Sequence, residues 1–204
     1  MGIACKFSAV NIRLYLAEEE QDLERNMLPL ILSEYSCPIN ADVENFLKKQ
    51  AVDFTLKDQS VTYLVFSNKN AELLGYFTIT VKPITINASE FSNHMKRKLQ
   101  RVGEYDKVRQ TYNMAAYLIA QLGKNYSRSA NEFITGKELL DLAMEQVKEL
   151  QYQAGGTVVF LESEDREKLK KFYQEENGFR EFGAREIMSR QHEPHRLVQM
   201  LKVI

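Results

Sequence analysis

The sequence holds no tryptophan, four prolines, three histidines and two cysteines in 204 residues. Two cysteines cannot build a disulfide framework, and Cys5 and Cys37 sit in no CxxC pair, so both read as reduced thiols. The histidines, His94, His192 and His195, show no metal-ligand spacing; the last two lie three apart in a turn beside Pro194, so no metal is expected. There is no GxSxG, HExxH, P-loop or Rossmann fingerprint. No run approaches the ~20 apolar residues that span a bilayer. The opening MGIACKFSAV has one lysine and no long apolar core, which argues against a signal peptide, and its myristoylation-like Gly2 has Ser8 out of place. Neither sign of charge dominates: 27 Lys and Arg face 28 Asp and Glu, a net of −1. A molecule-wide attraction to nucleic acid is thereby excluded, although a local basic face is not. These absences leave an ordinary globular protein, expected to be cytoplasmic and to form one domain over residues 1–204.

The patterns that are present alternate between strand and helix. NIRLYL at Asn11–Leu16 alternates as an opening strand should. Glu18–Tyr35 reads as helical, broken at Pro29. Asn40–Phe54 reads as a helix capped by Asn40, with Val43, Phe46, Leu47, Ala51 and Phe54 on one face. Val61–Ser67 and Leu73–Val81, separated by a turn cluster, read as an antiparallel hairpin. Residues 82–112 are polar and charged and read as a surface excursion with a short helix. Met114–Leu122 is a nearly continuous apolar run, the pattern of a fully buried strand. A helix from Gly136 to about Tyr152, a strand at 157–162, a helix from about 165 to 176 and two closing strands, Arg180–Met188 and His195–Ile204, complete an α/β chain with a mixed sheet.

Two places could carry chemistry. Thr135, Gly136, Lys137 and Glu138 spell a capping box, T-x-x-E, which leaves first-turn amides facing outward as an anion site. Capping boxes also open helices that bind nothing. Downstream, GGTVVFLESEDREKLKKFYQEENGF runs from a buried strand through an acidic turn into a helix bearing Tyr173. A tyrosine hydroxyl beyond a strand end is a candidate proton donor, and Phe172 and Leu169 are the better core residues. Glu162 could serve as a base through water, and Ser163, Glu164 or Asp165 could cap the next helix. Lys96, Arg97, Lys98 and Arg101 cluster as a solvated helical face or an anion patch.

Taken together, these segments resemble the GNAT superfamily of acyl-CoA-dependent N-acyltransferases. Leu118–Gly123 with the loop and helix 131–140 is similar to the strand–loop–helix that holds the coenzyme A pyrophosphate. Thr157–Glu162 followed by FYQEENGF is similar to the family's next strand and helix. Leu74-Gly75-Tyr76 is similar to its central hairpin. CPINADVENFLKKQAVDF, SVTYLVF and LLGYFTITVKPI further resemble the subgroup containing acetyltransferase toxins of toxin–antitoxin operons. The likeness covers roughly residues 37–182. The family's loop pattern, Q/R-x-x-G-x-G/A, falls on Asn131, Glu132, Phe133, Ile134, Thr135 and Gly136, and only the last glycine is retained.

The resemblance implies a GNAT-like, largely antiparallel sheet with flanking helices, splayed between the strands near 114–122 and 157–162. Acetyl-CoA would be the acyl donor. Backbone groups near Leu122 and Gly123 would bond its pantetheine arm, and Asn131 to Lys137, with Ser163, would complete the cofactor site. Tyr173 would protonate the departing thiolate after a free amine attacks the thioester. The acceptor amine stays open. An aminoacyl-tRNA acceptor would need a basic groove, for which 96–101 with Lys168, Lys170 and Lys171 is the candidate, and the net charge disfavours it. A non-catalytic binding module is the remaining alternative.

Overall fold

The alternation at Asn11–Leu16 is misleading, because the chain turns from strand to helix inside it. The computed structural model describes residues 6–19, 27–187 and 195–204. Strand β1 covers Phe7–Asn11 and helix α1 covers Arg13–Glu19. The Asn11 side-chain oxygen accepts the Arg13 amide at 3.0 Å, and the Ile12 carbonyl accepts the amides of Tyr15 and Leu16. An asparagine oxygen that satisfies a free first-turn amide starts a helix. Ile12 is consequently buried while Leu14 is 60% exposed, so the two do not share an inward face.

Of the helical stretch expected at Glu18–Tyr35, residues 20–26 lie outside the described residues, as do Cys5, Met188, His192 and Pro194. Helix α2 covers Met27–Ser33 and keeps Pro29 in its first turn, where a missing N–H is tolerated. The helix expected over Asn40–Phe54 divides at Gln50 into α3, Ala41–Lys49, and α4, Ala51–Leu56. Asn40 caps α3 as expected, accepting the amides of Asp42 and Val43 at 3.1 and 3.2 Å.

Strands β2, Val61–Ser67, and β3, Leu73–Asn87, form the hairpin, with β3 running on well past Val81. Helix α5 is Asn93–Leu99 and strand β4 is Glu104–Asp106. Residues 82–112 are not merely a surface excursion. Ile84, Ile86, Phe91, Met95, Leu99 and Tyr112 are buried, their apolar pattern diluted in sequence by exposed charge. Strand β5, Thr111–Lys124, outruns the apolar stretch read from the sequence. It is not buried on both faces throughout: Asn113 and Ala115 are exposed between buried Tyr112, Met114 and Ala116. Helix α6, Gly136–Ala154, leads to strand β6, Val158–Glu164. A short helix α7, Glu167–Lys170, continues into a π-helical turn, Lys171–Glu176. Strands β7, Arg180–Ile187, and β8, His195–Val203, close the chain.

The eight described strands form one mixed sheet in the order β1-β2-β3-β5-β6-β8-β7, with β4 also on β5. Pairs β1/β2, β2/β3, β4/β5, β6/β8 and β7/β8 are antiparallel. β5 and β6 are parallel, which requires a crossover, and α6 supplies it. Their ladder ends at Ile119↔Leu161, while β5 continues to Lys124 and β6 to Glu164.

The chain divides into two compact units. The first comprises residues up to Thr80 with Ala120–Gln146, and its core packs Ile12, Leu28, Leu47, Leu64 and Tyr76 together. The second comprises Val81–Ile119 with Val147–Ile204, and its core joins Ile86, Leu99, Tyr112, Phe160 and Leu201. Each fully buried aliphatic or phenylalanine side chain of this kind contributes roughly 1.5–3 kcal/mol. No helix among the described residues is long and apolar enough to cross a membrane.

Candidate active site

In the first unit, the end of β5 is packed around a bare glycine. A Cβ built on Gly123 would lie 2.4 Å from both the Tyr35 hydroxyl and Val43 Cγ1, and one on Gly75 would lie 2.6 Å from the Gly123 carbonyl oxygen. Both glycines are needed for space: backbone meets backbone at Gly75, and the Tyr35 and Val43 side chains fill the space over Gly123. Leu122 is half-buried and Gly123 buried. The next residue, Lys124, turns back beneath the loop and donates to the carbonyls of Asn131 at 2.8 Å and Ile134 at 3.1 Å. A trans peptide opposes its N–H to its C=O, so the amides of Glu132 and Thr135 face away from the lysine. Asn131 is half-buried, Glu132 exposed and Phe133 61% exposed, whereas Ile134 is buried as a core residue. That burial accounts for an isoleucine where the resembling loop pattern has a glycine: its side chain anchors the loop from below.

The capping box forms as the sequence predicts. Glu138 N donates to Thr135 Oγ1 at 3.1 Å, and Thr135 N donates to Glu138 Oε2 at 2.9 Å. The Thr135 amide, with the Thr135 hydroxyl and Lys6 adding to it, holds the Glu138 carboxyl below its usual range. The third helical amide is thereby satisfied, whereas the amides of Gly136 and Lys137 lie ahead of the first intrahelical acceptor. The Lys137 ammonium itself is engaged by Asp141 at 2.7 Å, so the backbone and the half-buried Lys124 supply the local positive character.

Tyr173 lies in the second unit on the π-helical turn. Insertions of this type widen a helix and recur at functional positions. The ring packs edge-on against Phe172 at 4.9 Å and Phe179 at 6.0 Å. The turn is closed by Phe179 N donating to the Tyr173 carbonyl at 2.9 Å, and Gly178 takes the left-handed φ of +71° that this closure requires. Lys202 then ties the Asn177 carbonyl down at 2.8 Å. No hydrogen bond fixes the Tyr173 hydroxyl among the described residues, and burial pushes its pKa up to about 12. Leu169, Phe172 and Tyr173 are all half-buried.

Glu162 is differently placed. Arg185 Nη2 donates to one of its oxygens, and Gln199 Nε2 donates to the other at 2.7 Å. Ser163 is buried, its hydroxyl donating to the Glu164 carbonyl at 3.4 Å. Neither Ser163, Glu164 nor Asp165 caps α7; the cap residue is Arg166, which makes no side-chain bond. Asp165 instead binds Lys170 and Arg196, and Lys170 holds its carboxyl below the usual range. Lys170 is thus withdrawn from the basic set, while Arg97, Lys98, Arg101, Lys168 and Lys171 are exposed. The described residues contain no cluster of three or more potential metal ligands.

Sequence reasoning missed Lys124, Asn125 and Tyr35. Buried Asn125 accepts the amides of Ser36 at 2.9 Å and Ser127 at 3.0 Å and donates to the Leu73 carbonyl at 2.8 Å. Its partners are backbone groups far away in sequence, and they leave no motif. The available signal was the pair Lys124-Asn125 directly after the strand's last glycine.

A mixed, mostly antiparallel sheet whose one parallel pair is joined by a capped helix is a GNAT-like fold. Solved structures of bacterial toxins share it. AtaT in complex with acetyl-methionyl-tRNAfMet is 17% identical over 81% of this chain and 85% of that one, with a TM-score of 0.56. Another bacterial toxin is 12% identical over 95% and 90%, with a TM-score of 0.58. A point mutant of KacT is 16% identical over 82% and 86%, with a TM-score of 0.54. No protein-family model and no curated protein matches the sequence.

Proposed function

We propose that this protein is an acetyl-CoA-dependent N-acetyltransferase acting on a primary amine, folded as a single cytoplasmic domain. The observation that carries the reading is the start of α6, where a completed capping box leaves two amides free above a lysine-anchored loop. Such an amide pair suits a phosphate, and the ladder with β6 that ends at Ile119↔Leu161 leaves backbone groups of β5 beyond it for an extended pantetheine chain. The residues present therefore fit acetyl-CoA. When bound, that molecule supplies an activated thioester.

The chain's own residues do the rest. The amides of Gly136 and Lys137 hold the pyrophosphate, with Asn131 to Thr135 shaping the loop, and backbone groups at Leu122 and Gly123 align the arm. The neutral amine forms an N–C bond as the C–S bond breaks, and Tyr173 gives its proton to the departing sulfur. The amine's surplus proton leaves to water, since both oxygens of Glu162 are engaged. Positioning and charge stabilisation are the protein's contribution.

An acceptor carried on tRNA is the second reading. It is favoured by the complex in which AtaT is seen and by the exposed cations of α5, and opposed by the net charge of −1. Calorimetric titration with acetyl-CoA tests the main reading. Micromolar binding is expected; no binding up to millimolar concentration would remove the enzyme reading and leave a binding module.

A further inference from the structure

The turn that carries Tyr173 ends in a Schellman cap. Phe179 N reaches back to the Tyr173 carbonyl at 2.9 Å and Gly178 N to the Gln174 carbonyl at 3.1 Å, with Gly178 at a φ of +71°. In such a cap the residue after the glycine packs on the residue that accepts its amide. Here that pair is Phe179 and Tyr173, whose rings meet edge-on at 6.0 Å. The Tyr173 hydroxyl has no hydrogen bond among the described residues, so the cap and the neighbouring rings alone set where it points.

The cap is itself held from outside. Buried Asn177 donates from its side chain to the Phe172 carbonyl at 2.7 Å, and its own carbonyl accepts Lys202 Nζ at 2.8 Å. The same ammonium stands over the Phe179 ring, 5.7 Å from its centroid. One cation therefore grips the cap at its backbone and at its aromatic residue. Lys202 comes from β8, where side chains on one face recur every second residue. Met200, two residues earlier, meets the same turn, its sulfur accepting from Gln174 Nε2 at 3.9 Å. Lys202 is half-buried and has no ion-pair partner among the described residues. A lysine drawn partly out of water with no carboxylate to meet gains only what this turn offers, a helix-end carbonyl and a ring face.

We propose that Lys202 is a positioning residue for Tyr173, its ammonium clamping the Asn177 carbonyl and the Phe179 ring so that the tyrosine hydroxyl is presented in one place. The inference rests on the N-acetyltransferase reading, in which that hydroxyl gives up a proton. A reacting group displaced by about 1 Å can lose on the order of 10²-fold in rate. A clamp on the frame is therefore a clamp on the chemistry. Lys202 acts through two intermediaries, the cap backbone that ends at the Tyr173 carbonyl and the Phe179 ring that meets the Tyr173 ring.

The test uses the full chain labelled with fluorotyrosine, the Tyr173 signal being assigned by its loss in Tyr173→Phe. Lys202→Met keeps the stem and removes the charge, so that signal should move toward the position of exposed fluorotyrosine. Lys202→Arg keeps a charged donor and should leave it near its wild-type position. Asn177→Ala breaks the other link of the clamp and should shift the signal too, an independent reading where Lys202→Met does not fold. A second arm follows thiol release from acetyl-CoA with glycinamide as the primary amine. Lys202→Met should lower kcat about tenfold with KM for acetyl-CoA unchanged, and should cost nothing further in the Tyr173→Phe background. An unmoved Tyr173 signal, or the same fall in kcat in both backgrounds, would make Lys202 a structural residue. Either result overturns this inference and leaves the enzyme reading standing. Failure of the wild type to bind acetyl-CoA by calorimetry removes that reading, and the positioning role with it.

Discussion

The end of β6 and the turn that carries Tyr173 are built in opposite ways. At the strand end every charge has a partner: Glu162 holds Arg185 and Gln199, Glu164 holds Arg166, and Asp165 holds Lys170 and Arg196. On the turn, the Tyr173 ring is fixed by two aromatic neighbours while its hydroxyl is left without a hydrogen bond among the described residues. A group that must hand over a proton needs a free donor atom on a rigid frame. A carboxylate with both oxygens engaged is suited to holding strands together. The contrast separates two proton-bearing candidates that the sequence leaves side by side.

The largest effect should come from Tyr173→Phe. Turnover should fall on the order of 10²-fold, the usual cost of losing a general acid, with acetyl-CoA affinity and melting temperature nearly unchanged. Wild-type turnover in this variant would dissolve the contrast. The pH dependence has a definite sign. The hydroxyl is raised from 10.0 to about 12 in the folded protein, so its contribution to stability is complete below pH 10 and is lost as the pH rises through about 12. The phenylalanine variant should lack that part of the alkaline decline, which melting curves at increasing pH would read.

Next in size is Gly123→Ala. The added methyl meets the Tyr35 hydroxyl and Val43 at 2.4 Å, and neither can retreat easily because the Tyr35 segment and α3 are both tied down. Overpacking of this kind costs about 1–3 kcal/mol, measurable by denaturant unfolding, and acetyl-CoA binding should weaken as well. An unchanged midpoint would show that the end of β5 is looser than its packing implies, and a rigid frame would then belong to the turn alone.

What could be read from the sequence follows from how local each signal is. The capping box was legible because both partners sit within four residues, and the hairpin because Val61–Ser67 and Leu73–Val81 concentrate β-formers around a turn. Residues that act through distant backbone were not. Lys124 binds carbonyls of a loop, Asn125 binds carbonyls and amides from three other segments, and neither choice constrains neighbouring residue types. The buried face of 82–112 was hidden because Ile84 and Ile86 alternate with exposed residues amid heavy charge. At Asn11 a side-chain cap overrode the alternation that followed it. Tyr173 was legible as a position, whereas the saturation of Glu162 depends on Arg185 and Gln199, which strand register alone brings to it.

A smaller effect is expected at the loop. Thr135→Ala removes the oxygen that accepts the Glu138 amide and should cost about 1 kcal/mol. Because the Glu138 carboxyl is held below 4.5, the box contributes above that pH and weakens as the pH falls through the depressed value. The variant keeps the Thr135 amide that donates to this carboxyl, so both proteins should lose that part of their stability in acid, and the gap between their urea melts should narrow only by the share of the lost hydroxyl bond. A loss of acetyl-CoA affinity well beyond the stability change would mean that the Thr135 hydroxyl touches the ligand directly.

The smallest effect belongs to Glu162→Gln, and it bears most directly on the contrast between strand end and turn. Glutamine keeps the shape and one acceptor oxygen, so the bond from Gln199 can survive while the charge opposite Arg185 is lost. Arg185 is 56% exposed, so water can replace the missing partner. Stability should therefore fall by less than about 1 kcal/mol, and kcat should stay within about twofold of wild type. If kcat instead fell as far as in Tyr173→Phe, with acetyl-CoA affinity intact, Glu162 would have to leave Arg185 during the reaction to accept the amine's proton. The saturated strand end would then be a resting arrangement, and the rule that separates it from the turn, that engaged atoms do not move protons, would fail in this protein.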